Sequence, residues 1–154
     1  MSLSDNTHMQ MALAEARKAF QRDEVPVGAA LVDWRTDEVI AFAGNRPKEL
    51  SDPTAHAEML VIQEACRKKG LARLPDCDLY VTLEPCPMCA AAISFARIRR
   101  LYFGAHDEKG GGVENGPRIF SSSSCHHQPE IYGGIGAAES GELLKRFFLE
   151  KRMG

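Results

Sequence analysis

Two short segments concentrate the side chains able to do chemistry, T54-A-H-A-E58 and T82-L-E-P-C-P-M-C89. Cys86 and Cys89 stand three apart where a helix would begin, and the partial positive charge of a helix N-terminus favours their thiolate forms. Pro85 and Pro87 stiffen that turn. Zinc accepts thiolate sulfur and imidazole nitrogen, so His56, Cys86 and Cys89 are candidate ligands of one ion. Three protein ligands leave a fourth tetrahedral position for water, which is the pattern of a catalytic zinc. Glu58, two residues past His56, is close enough to reach such a water without binding the metal and is the candidate general acid and base. A zinc-activated hydroxide is then the expected nucleophile, with Glu58 taking the proton released. Each half alone is weak, since C-x-x-C also occurs in redox sites and closed zinc sites, and H-x-E in solvated first turns. A closed site would need a fourth ligand from Cys66, Cys77, Cys125, His106, His126 or His127, none of which repeats the double-motif spacing.

The elements that must position these residues follow from hydrophobic periodicity. Met9, Ala12, Leu13, Ala16 and Phe20 recur at helical spacing and predict an amphipathic first helix. Val27 to Asp33 and Glu38 to Ala43 read as a hairpin joined by the polar Trp34 to Asp37. Gly44 to Pro53 has loop composition, and Thr54 is the expected N-cap of a helix from Ala55 to Lys69 that Gly70 stops. The apolar positions of that helix, from Met59 to Cys66, span too wide an arc for a surface helix, so it should be well buried. Strand Asp78 to Leu83, helix Pro87 to Ala96 and strand Arg100 to Gly104 imply a right-handed crossover with those strands parallel. His106 to Pro129 is rich in Gly and Ser, with a helical turn expected near Arg118 to Ser121. A short strand at Glu130 to Tyr132 and a helix from Ala138 to Arg152, apolar at Leu143, Leu144, Phe147 and Phe148, complete the chain. The sum is a three-layer α/β/α domain over residues 1–154, with helices on both faces of a mixed sheet of about five strands.

At 154 residues the chain is long enough to bury one substantial core, and its 44% hydrophobic and 26% charged residues match a soluble globular protein. No apolar run is long enough to span a bilayer and the N-terminus shows no signal-peptide pattern, so the expected location is cytoplasmic, with no membrane partner. Its five cysteines are irregularly spaced, which argues against a disulfide framework. A net charge of -2 means that any contact with nucleic acid must come from a local patch. Gly110 to Gly112 lack the strand-to-helix setting of a phosphate loop, so no nucleotide cofactor is expected.

H-x-E with P-C-x-x-C is the signature of the zinc nucleobase deaminases. Over nearly its whole length the chain resembles the bacterial tRNA-specific adenosine deaminases, in E24-V-P-V-G-A, G44-N-R-P, D52-P-T-A-H-A-E58, L79-Y-V-T-L-E-P-C-P-M-C89, R97-I-R-R-L-Y-F-G-A105 and F147-F-L-E-K-R152. The resemblance implies a cytidine deaminase-like fold, a homodimer, one Zn2+ and conversion of adenosine to inosine at the wobble position of a tRNA anticodon. It also implies that positions matching Val27, Asn45 and Ala57 form the base pocket, and that Asp107 lies beside the anticodon loop. On residue type alone, Asn45 and Asp107 are equally turn residues. The chain departs from the family at C125-H-H-Q128, where many members have Asn-His, and this bears on nucleotides flanking the target. A deaminase of free guanine, cytosine or a nucleoside would use the same zinc site, and a noncatalytic zinc-stabilised binding domain is the alternative from another class. Cations at the end of the last helix, Lys145, Arg146, Lys151 and Arg152, are either RNA contacts or partners of the helix dipole, and Phe147 and Phe148 are either core or stacking surfaces, one of the adjacent pair being open to exposure.

Overall fold

The computed structural model describes residues 2–153. Helix α1 (Leu3–Gln21) starts earlier than its apolar stripe, because Ser2 caps it in a capping box with Asp5. Strands β1 (Gly28–Asp33) and β2 (Glu38–Gly44) form the expected hairpin. Pro47–Leu50, expected as loop, is instead a short helix, α2. Its first turn is held from a distance, since Lys48 N and Glu49 N donate to the buried carboxylate of Glu24 at 3.1 and 2.8 Å.

Helix α3 (Ala57–Lys69) begins at His56, not at Thr54. Thr54 is drawn away by Asp52, to which it donates its N–H at 2.8 Å and its hydroxyl at 2.7 Å. The cap comes instead from Asn45, whose Oδ1 accepts from Ala57 N at 2.8 Å. Gly70 ends the helix in a left-handed conformation at φ 65°. None of the apolar positions from Met59 to Cys66 is exposed, in line with the expected burial. Then follow β3 (Cys77–Leu83), α4 (Pro87–Phe95), β4 (Arg100–Ala105), a 3₁₀ turn at Ile119–Ser121, β5 (Glu130–Tyr132) and α5 (Ala137–Met153).

The sheet order is β2-β1-β3-β4-β5. β1 runs antiparallel to β2 and β3, while β3, β4 and β5 are parallel. Alternation of side chains across the strands divides the interior in two. Ala29, Leu31, Leu79, Val81, Leu101 and Phe103 pack with Val61 and Ala65 of α3 and Ile93 of α4. Val32, Tyr80 and Tyr102 point the other way, onto Met9 and Leu13 of α1 and Leu143 of α5. The result is the expected three-layer α/β/α arrangement on a mixed five-stranded sheet. Gly28 is required where α1 crosses β1, since a Cβ there would stand 2.0 Å from the Ala12 carbonyl oxygen. Among the described residues no helix is long and apolar enough to cross a membrane.

Candidate active site

Two helices point their N-termini at one place. His56 is the N-cap of α3 and Cys86 the N-cap of α4, both with extended backbone. Neither side chain caps its own helix, so both are free to face each other. Cys89 lies one turn into α4, fully buried. His56 Nδ1 stands 3.6 Å from Cys86 Sγ and 3.5 Å from Cys89 Sγ. A tetrahedral ion with bonds of about 2.3 Å to sulfur and about 2.0 Å to nitrogen would separate those atoms by about 3.5 Å. The donor set therefore fits zinc in both chemistry and spacing. Among the described residues no fourth His, Cys, Asp or Glu joins the three, so a metal held here keeps an open position. Cys66 packs against the core and Cys125 against Ser94, far from serving as a closing ligand.

The thiols are tuned by one another and by the histidine. The Cys89 thiol donates to Cys86 and His56 lies beside it, which together pull the Cys86 thiol down to about 4 against the opposing effect of burial. That shared proton, with burial, holds Cys89 well above its usual value. The hydrogen bond to Cys86 raises His56. Glu58, in the first turn of α3, is 4% exposed, and burial pushes its carboxyl up to about 7.

An open cleft of about 280 Å³ lies over these groups, lined by His56, Glu58 and Cys86 with Val27, Asn45, Leu83, Glu84 and Asp107. Val27 and Asn45, which the resemblance assigns to the base pocket, both line this cleft, and Asn45 also caps α3. Ala57 does not line the cleft; its methyl is in the core and its N–H is bound to Asn45. Asp107 lines the cleft and is also a turn residue, its Oδ1 accepting from Lys109 N at 3.2 Å and Gly110 N at 2.9 Å. The departure at C125-H-H-Q128 has a structural anchor: His127 Nε2 donates to the Ile98 carbonyl at 2.6 Å.

Sequence reasoning missed Glu84. It is 2% exposed and accepts from five donors on the 107–115 loop. Burial alone would raise its carboxyl, but the N–H groups of Asp107, Glu114 and Asn115 and the Asn115 carboxamide outweigh it and hold the group below the usual carboxylate range. The available signal was an acidic residue next to a proline at the end of an otherwise buried apolar strand.

The family model for the cytidine and deoxycytidylate deaminase zinc-binding region matches residues 2–105, and the chain belongs to this family. Within it, relatives matched over nearly the whole chain include tRNA-specific adenosine deaminases. That of Agrobacterium fabrum is 61% identical over 153 residues, covering 98% of this chain and 99% of its own. That of Rickettsia bellii is 48% identical over 144 residues, covering 94% and 99%. A solved structure from work on A-to-I editing by tRNA:A34 deaminases at the wobble position of transfer RNA superposes with a TM-score of 0.87 at 61% identity, covering 90% of this chain and 99% of that one.

Proposed function

We propose that this chain hydrolyses adenosine to inosine at the wobble position of a tRNA anticodon, with zinc held by His56, Cys86 and Cys89 and protons moved by Glu58. The observation that carries the proposal is the juxtaposition of the three-ligand group with a buried, non-ligating carboxylate under an open cleft. The relatives named tRNA-specific adenosine deaminase, matched from end to end, support the choice of substrate. Bound zinc supplies Lewis-acid activation of water. Glu58, held largely away from bulk solvent, would accept the proton released and deliver it to N1 of the adenine ring, then take the proton of the hydroxyl newly added at C6 and pass it to the amine, which leaves as ammonia. Its raised carboxyl value suits a group that must both take and give a proton near neutrality.

The cleft, about 280 Å³, is at the small end of ligand pockets and admits a single nucleotide, not a folded RNA. The adenosine must therefore leave its stack to enter, which is the usual behaviour of enzymes that act on a base. In this reading Val27 and Asn45, which line the cleft, face the base, Ala57 supports them from the core side, and Asp107, also in the cleft lining, meets the anticodon loop. The same reading includes a homodimer. Phe95, 71% exposed at the end of α4 beside a groove lined by Ala91, Ile119 and Cys125, is apolar surface that a second copy would cover. Light scattering should then give twice the 17.0 kDa chain mass. The deciding assay sets zinc-loaded protein against a tRNA anticodon stem-loop, free guanine, cytosine and adenosine. Inosine in the stem-loop, with little ammonia from the small substrates, is the expected outcome. Ammonia from guanine or cytosine with intact stem-loop adenosine would replace this reading by a free-base deaminase.

A further inference from the structure

We infer that Glu84 is a positioning residue for this reaction, holding the 107–115 loop so that Asp107 stays fixed in the wall of the cleft. The inference rests on the proposed deaminase function and on three features of the geometry. First, every polar contact of the Glu84 carboxylate is a donor from one loop. Oε1 accepts from Asp107 N at 3.0 Å and Asn115 Nδ2 at 2.7 Å, and Oε2 from Val113 N, Glu114 N and Asn115 N at 3.1, 2.9 and 3.0 Å. The consecutive N–H groups of Val113, Glu114 and Asn115 form the kind of concavity that ordinarily binds an anion, and here the chain fills it with its own side chain.

Second, the loop lies directly on the turn that carries Cys86. Gly112 N donates to the Pro85 carbonyl at 2.8 Å, and a Cβ on Gly112 would stand 2.6 Å from Pro87 N and 2.9 Å from the Cys86 carbonyl carbon. A Cβ on Gly111 would meet the Glu84 carboxylate itself at 2.6 Å. Third, Asp107 joins the two regions, donating its N–H to Glu84 while its side chain lines the cleft. Glu84 is not one of the three metal-ligating residues, and although it lines the cleft its carboxylate is taken up by the loop, so in this scheme it acts through Asp107.

Glu84→Gln keeps the volume but turns one acceptor into a donor. The carboxamide nitrogen is least opposed on the Oε1 side, where Asn115 can rotate its amide to offer oxygen, whereas the Asp107 N–H cannot adapt and loses its acceptor. Loss of one such bond should raise the KM for an anticodon stem-loop about tenfold and speed hydrogen exchange at the Asp107 amide at least as much. Zinc content and kcat should stay near those of the parent, because neither the ligands nor Glu58 is moved. Asp107→Ala should raise KM similarly, and the double variant should be no worse than the larger single effect. Additive effects of Glu84→Gln and Asp107→Ala, loss of zinc, or a fall in kcat at unchanged KM would each overturn the inference. If Glu84→Gln does not fold, Asn115→Ala removes a single donor and should show a weaker form of the same KM and exchange changes. Should the parent protein leave the stem-loop adenosine intact, the proposed function falls, and exchange at Asp107 and Val113 to Asn115 then decides the positioning role alone. Unchanged exchange at these amides in the variants refutes it.

Discussion

A buried carboxyl held near neutrality beside a histidine and two cysteines has little structural use of its own, since burying it without a firm partner costs stability. That cost is understandable if Glu58 moves protons. Glu58→Gln fills the same space without a titratable group and should keep about one zinc per chain while lowering turnover by roughly a hundred- to ten-thousand-fold, measured as inosine formed per enzyme. Cys86→Ala and Cys89→Ala should each lose the metal, as read by elemental analysis, because two protein ligands are too few for a tetrahedral site. Full zinc occupancy in both cysteine variants would refute the ligand assignment.

Helix α3 is the element on which the site depends, and both of its ends are tied by side chains from the hairpin and the residue that follows it. At its start Asn45 caps Ala57 N, so Asn45→Ala should lower global stability by about 1 kcal/mol in urea titrations and also impair turnover, since His56 and Glu58 ride on that turn. At its end Lys69 Nζ donates to the buried Asp33 Oδ2 at 2.9 Å. That bond holds the Asp33 carboxyl below its usual 3.8, despite burial. A depressed folded-state value stabilises the protein at pH above the unfolded value and ceases to do so as pH falls through the folded one. Lys69→Met should therefore be less stable than the parent by about 1 kcal/mol at neutral pH, with the gap closing once the pH drops below about 4. An equal difference at acid and neutral pH would show that packing, not the ion pair, is responsible.

Over the whole molecule the net charge of -2 does not favour a polyanion, so binding to tRNA has to use local cations. The last helix supplies them unequally. Lys151 is paired with Asp23 and lies over the Phe147 ring, whereas Lys145 and Arg152 have no ion-pair partner among the described residues. Phe147 is core and Phe148 is 48% exposed, which leaves one aromatic face free on this helix. Replacing Lys151 and Arg152 with alanine should weaken tRNA binding and flatten the slope of log affinity against log salt, by about one for each phosphate left without its cation. Arg152→Ala alone should account for most of the change, since Lys151 is already engaged. An unaltered slope in the double variant would remove this helix from the RNA interface.

Local sequence pattern was enough to find the candidate ligands and the order of elements. His56, Glu58, Cys86 and Cys89 declare themselves by residue type at fixed short spacing, and strands and helices declare themselves by the period at which apolar residues recur. The parallel pairing of β3 and β4 followed from the same local pattern, because a strand, helix and strand in succession permit little else. How the walls of the cleft are held was settled by tertiary contacts alone. Glu24 creates α2 where composition indicates loop, Asn45 displaces Thr54 as the cap of α3, and Glu84 gathers a glycine-rich segment that has no periodicity of its own. In each case a polar side chain satisfies backbone N–H groups 12 to 31 residues away. Such bonds leave no periodic trace in the sequence, because the backbone donors they satisfy are the same at every residue except proline.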